Sequence, residues 1–328
     1  MHSNRAAAFP NGARFAFTIL DDTDVATLAN VSPMYDLLYS LGFRTTKTVW
    51  PVRCPEGSHN FSASDTLEDL AYRDFVIDLK QRGFELTWHG ATMESSDKAR
   101  TIRALELYHE MFSEYPRIHV NHADNRENIY WGADRLDSPI LKWLFGRLAG
   151  RPAGYFSGHV AESAYGWPEA CSEHFEYCRN LTTNDINTAK FNPSMPYQDS
   201  ARPLVPWWFS ASDANSVEEF NALIHPSNQD RLEREGGFCI VATHLGKGFV
   251  QNGVVNEVTR LRLTQLSQRN GWFPTTGELL DYLRQGRRST NGALPAREWR
   301  RMQWRWAADL ALRKAAEWRG RRQRHSNV

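Results

Sequence analysis

The chain has 328 residues, of which 41% are hydrophobic and 12% aromatic, enough for a large packed core and too apolar for a disordered protein. Its net charge of +1 hides an asymmetry. From Arg284 onward thirteen Lys/Arg face three Asp/Glu, while the preceding body is mildly acidic, which excludes a basic nucleic-acid-binding body. No stretch reaches about 18 uncharged apolar residues, the start lacks the apolar run of a signal peptide, and four cysteines without metal spacing fit a reduced compartment, so a cytoplasmic location is expected.

In chain order, Ala13–Leu20 reads as a buried strand ending at Asp21-Asp22. Ser32-Pro33 reads as the cap and first turn of a helix through about Leu41. Arg44–Trp50 is extended, and Ser64 or Asp65 opens a helix to about Arg82. Phe84–Trp88 is a strand ending at His89. A helix over 96–112 leads to a strand over 117–121 that ends at His122. Strands follow at 178–183, 204–209 and 238–243, the last ending at His244, and a capped helix over 276–283 closes the body. Strand alternating with helix predicts an α/β fold with a parallel sheet, closed at this length into a barrel. The expected division is an extension over 1–12, a barrel over 13–285 with loops over 150–192 layered on its mouth, and a basic helical tail over 286–328.

Position carries the functional argument. Asp21, Asp22, His89, His122 and His244 all follow strands, and in β/α barrels the C-terminal strand ends meet at one mouth. Adjacent carboxylates there can divide labour, one holding a divalent cation and the other taking a proton from water. His89 supplies a nitrogen ligand, and His244 a proton for a leaving group. The polar run Asn121–Asn128, followed by Trp131, offers contacts to sugar hydroxyls or carboxylates through Asn121, Arg126 and Trp131. Lys247, in a glycine-flanked turn without P-loop spacing, can meet an anionic substrate.

The segments FTILDDTD, GFELTWHGAT, RIHVNHADN, GGFCIVATHLGKGF and GWFPTTGELLDYL, in this order, resemble the polysaccharide deacetylase (NodB-homology) superfamily over about residues 13–285. The resemblance implies a distorted barrel of about seven parallel strands and metal-dependent removal of N- or O-acetyl groups from a saccharide, with one divalent ion, zinc being expected. It implies Asp21 as base, Asp22 and His89 as metal ligands and His244 as the acid. Thr23 stands where the family has glycine, and Met93 where it has the second histidine ligand, a poor donor for hard or borderline cations. His122, Asp24 or water is then the third ligand. The altered motifs leave two alternatives open, hydrolysis of another C–N bond such as a cyclic amide, and a catalytically inactive glycan-binding barrel.

The tail over 296–319 reads as one helix with Trp299, Met302, Trp306 and Leu310 on a stripe among arginines. Such a helix either packs on the barrel or lies on an anionic membrane surface or acidic partner, with no specific nucleic-acid binding.

Overall fold

The computed structural model describes residues 9–149, 151–152, 154–286 and 292–326. The ends of the expected 1–12 extension and basic tail, and positions 150, 153 and 287–291, therefore lie outside the described residues.

Seven strands form the barrel: β1 (Phe15–Asp21), β2 (Thr46–Val49), β3 (Glu85–Trp88), β4 (Ile118–His119), β5 (Tyr177–Thr183), β6 (Trp207–Ala214) and β7 (Phe238–Thr243). Each pairs in parallel with the next, and β7 returns to β1 from Ala16↔Phe238 to Asp21↔Thr243, which closes the sheet. Closure is uneven. β3 and β4 share the single pair Trp88↔His119, and the β5–β6 register shifts between Arg179 and Thr182. The distorted seven-stranded parallel barrel expected from the sequence is the architecture observed.

Alternation along β1 sorts its side chains between two cores. Phe15, Phe17 and Ile19 pack with Val31, Met34 and Tyr35 of helix α1 (Leu28–Ser40), whereas Ala16 and Leu20 join the other core with Trp88, Leu181 and Phe209. Crossovers run through α2 (Leu70–Gln81), α3 (Lys98–Phe112), then α4 (Pro139–Ala149) and α5 (Pro168–His174), then α6 (Thr188–Phe191), then α7 (Val217–Leu223) and α8 (Pro226–Glu235). A hairpin of β8 (Val250–Gln251) and β9 (Val254–Val255) follows, with α9 (Glu257–Ser267), β10 (Gly271–Trp272) beside β1, α10 (Thr276–Gln285) and α11 (Ala296–Ser326).

Two helix starts differ from expectation. α1 begins at Leu28, because Thr27 and Asn30 form a capping box and the Leu28 amide donates to Asp65 at 2.7 Å, which leaves Pro33 inside the helix. With Asp65 engaged there, α2 starts only after Asp69, whose carboxylate accepts the Thr66 amide.

α11 turns its apolar stripe to the barrel. Trp299, Met302 and Trp306 are buried, Trp299 sits 5.7 Å from Tyr197 and donates its indole N–H to Asp137, and Trp306 lies 5.5 Å from Phe145. Of the two arrangements open to the tail, packing on the barrel is the one seen. No helix among the described residues is long and apolar enough to cross a membrane.

Candidate metal centre and its cavity

β1 ends in a turn that projects three carboxylates in three directions. The Asp22 amide donates to Thr243 O at 2.8 Å and the Thr23 amide to Thr48 Oγ1 at 2.9 Å, which fixes the strand end against its neighbours on both sides. Val25 then takes φ +52°, a left-handed conformation that a β-branched residue adopts only when its surroundings impose it. Those surroundings are the loop after β7. Asn30 Nδ2 donates to both Val25 O and Gly246 O, and a Cβ at Gly246 would stand 2.8 Å from Ala26 Cα, so glycine is required for the two turns to meet.

Asp24 is the hub. Its Oδ1 lies 3.2 Å from His89 Nε2 and 3.4 Å from His122 Nε2, and its Oδ2 lies 3.2 Å from His244 Nε2 and 3.1 Å from Lys247 Nζ. Burial alone would raise its pKa, but the facing imidazoles of His122, His244 and His89 hold the carboxyl far below the usual range. Around the imidazoles, His89 Nδ1 faces Val120 O at 2.9 Å, and since a carbonyl only accepts, Nδ1 carries the proton. His122 Nδ1 faces Asn125 Oδ1 at 3.0 Å, the Asn125 amide nitrogen being spent on Thr92 O and Glu127, so Nδ1 is again the donor. With Nδ1 so engaged, both rings turn Nε2 toward a carboxylate oxygen, and in its neutral form each presents a lone pair there. His89 Nε2 and Asp24 Oδ1 are buried without a hydrogen-bond partner. Three such atoms facing one point could hold a cation between them. Asp24, His89 and His122 offer donor atoms within 4.8 Å of one another. Ring N–H groups tied to backbone or amide oxygen are the usual outer support of histidine ligands, and the N2O set suits zinc or a similar divalent ion.

The other expected residues separate. Asp21, expected as the base, continues the β1 face that packs under α1. It is fully buried, with Oδ2 2.9 Å from Lys47 Nζ and 2.8 Å from Tyr35 OH, and Oδ1 accepting the Leu245 amide. It does not line the cavity, and this correction follows from the twofold alternation of the strand. Asp22, expected as a metal ligand, lines the cavity but is gripped in a bidentate pair by Arg179 of β5, at 3.1 and 2.8 Å. Its pKa is lowered, the attraction of Arg179, helped by His89 and His244, outweighing burial. Asn121 reaches the cavity edge yet spends Oδ1 on His119 and the Ile129 amide. Trp131 lines the cavity, with Arg135 4.0 Å above its ring. Arg126 does not. It is exposed and stacks 4.1 Å over Tyr165. Met93 sits 3.6 Å from Ser64 Oγ, outside the cluster.

Sequence reasoning missed Arg179 and Trp50. Trp50 directly follows β2, with its ring 4.9 Å from His89 and 5.4 Å from His122, an apolar screen beside the imidazoles. A single charged residue within the strand Tyr177–Thr183 was the available signal for Arg179, since a buried guanidinium demands a carboxylate partner. Above this floor the cavity encloses about 830 Å3. Arg135, Phe156 and the tail helix form part of its lining, so the loop around Phe156 and α11 both reach the mouth, whereas the expected loop layer over 150–192 also contains α5, the barrel strand β5 and α6.

A scan against models of known families finds no match, and a sequence search of curated proteins finds none. Among solved structures, a putative polysaccharide deacetylase from Mycobacterium smegmatis aligns at 12% identity and a TM-score of 0.49, over 88% of this chain and 96% of that one. The Puue allantoinase aligns at 12% and 0.47 over 86% and 94%. A probable polysaccharide deacetylase from Pseudomonas aeruginosa aligns at 11% and 0.45 over 85% and 94%. Likeness this distant carries no argument about activity, which has to come from the site itself.

Proposed function

We propose that the barrel mouth is the active site of a metal-dependent hydrolase that removes an acetyl group from a saccharide, at nitrogen or oxygen. The observation that supports it is the convergence of two imidazole lone pairs and a carboxylate oxygen on one point beside a large cavity. Asp24, His89 and His122 would hold the cation. A divalent ion bound there supplies a lowered pKa for its water and polarises the acyl oxygen.

The chain's own residues do the rest. Asp22 takes the proton from the attacking water, and Arg179 fixes the orientation of that carboxylate while keeping it ionised. His244, on the cavity side of Asp24, donates a proton to the departing amine or alcohol. Lys247, expected to meet substrate, is not part of the cavity lining and instead balances the charge of Asp24. Asp21 serves the frame, tying β1 to β2, α1 and the loop after β7.

Elemental analysis of purified protein supplied with zinc, together with acetate release from acetylated sugars, tests this. Asp24→Asn should lose both metal and activity. Asp22→Asn should keep the metal and lose activity by about 10²–10⁴. Wild-type protein that binds no divalent ion would end the proposal. Full activity in Asp22→Asn would remove that residue as base.

A further inference from the structure

The cavity has two unlike halves. Its floor is the imidazole and carboxylate cluster around Asp24, and one wall is mostly hydrocarbon: Leu141, Leu144 and Phe145 of α4, Phe156, and Trp306 and Leu310 of α11, with Arg135 laid against the Phe145 and Trp306 rings. The face of one sugar ring can stack on one of these aromatic rings, but it leaves the aliphatic remainder of the wall, Leu141, Leu144 and Leu310, uncovered. The wall also continues outward. Leu144 is 40% exposed, and Ile140 and Trp143 on the same helix are 61% and 59% exposed, so apolar surface runs from inside the cavity onto the outer side of α4. At about 830 Å3 the space lies near the top of the ~300–1,000 Å3 range of ligand pockets, more than a short acyl group and one sugar need.

Building on the hydrolase reading, we infer that the substrate is an amphiphile, with its acylated polar head over Asp24 and a hydrocarbon chain along the α4–α11 wall. The chain belongs either to the acyl group removed or to the part that departs, and the wall meets the same methylenes in both cases. Either way one water is consumed. Its oxygen joins the acyl carbon as the C–N or C–O bond breaks, and a proton goes to the leaving nitrogen or oxygen.

Binding tests the inference without turnover. Methyl, butyl, hexyl and octyl glucosides, each below its micelle concentration, are titrated into the full chain by calorimetry. Each added methylene should tighten binding about fourfold until the wall is covered, the usual gain for burying a CH₂. Ala311→Phe, which fills the cavity end of α11, and Leu310→Gln should flatten the series and leave the methyl glucoside and the metal content unchanged. A flat series in the wild type overturns the inference, and so does an equal gain in both variants, which would place the detergent elsewhere. Acetate release from alkyl glycosides of N-acetylglucosamine, against acid release from N-acyl glucosamines of rising length, then identifies which part carries the chain. A climbing binding series with no hydrolysis in either set defeats the hydrolase reading and leaves the amphiphile site standing. Hydrolysis with a flat binding series does the reverse.

Discussion

His119 and His122 lie three residues apart and are treated in opposite ways. His122 faces Asp24, and although burial works against the charge, that carboxylate raises its pKa. His119 is sealed between the rings of Trp167 and Phe175, and burial pushes it down to about 3 from an ordinary 6.5, the bond to Asn121 opposing only in part. The linkage has a definite sign. A base with a depressed folded pKa contributes stability that is present above pH 6.5 and is lost as pH falls toward 3, on the order of 4 kcal/mol over the window. His119→Gln keeps an N–H for Asn121 and cannot charge. Acid unfolding followed by circular dichroism should therefore show a shallower decline for the variant between pH 6.5 and 3, and parallel curves would refute this account.

The pair Asp22–Arg179 gives a second test at this scale. Removing one partner of a buried, bidentate ion pair leaves the other charged and unsolvated, which typically costs about 3–5 kcal/mol. Arg179→Leu should lower the urea midpoint accordingly, while the double variant Asp22→Asn/Arg179→Leu should recover part of the loss. A single variant as stable as the parent would contradict the pairing.

Among the elements, strand ends were legible and helix starts less so. β7 could be bounded from its apolar run between Gly237 and His244, and the four histidine and aspartate strand ends could be placed in order. What could not be read was which two of the three aspartates in DDTD reach the cavity. The answer depends on the strand alternation that sends Asp21 under α1 and on a left-handed Val25 imposed by the loop after β7, more than two hundred residues away. Arg179 is a similar case, because its partner is distant in sequence. The tail helix illustrates the ambiguity of an amphipathic pattern, which is the same whether the stripe meets a membrane or a barrel. Because Trp299 is buried against Tyr197 and bonded to Asp137, Trp299→Ala should cost about 3–5 kcal/mol in denaturant unfolding. A loss under 1 kcal/mol would mean that the helix is not docked in solution.

For the molecule as a whole, the cation is expected to act as a staple. Asp24, His89 and His122 come from the turn after β1, the end of β3 and the loop after β4, so a ligand shared by them ties three separate crossovers together. A ligand bound only by the folded state at a thousand times its Kd contributes about 4 kcal/mol. Zinc added to chelator-treated protein should therefore raise Tm by several degrees, and Asp24→Asn should abolish the rise. An unchanged Tm with bound zinc would show that the ion sits elsewhere.

Part of the hydrophobic side of the pocket is furnished by α11, which follows every barrel strand in sequence. During synthesis, the strands that carry the acidic and imidazole groups emerge from the ribosome long before Trp306 and Leu310 do. The α4 part of the greasy flank precedes His244 in the chain, so the side chains of α11 add only the second half of that wall once the last barrel strand has been made.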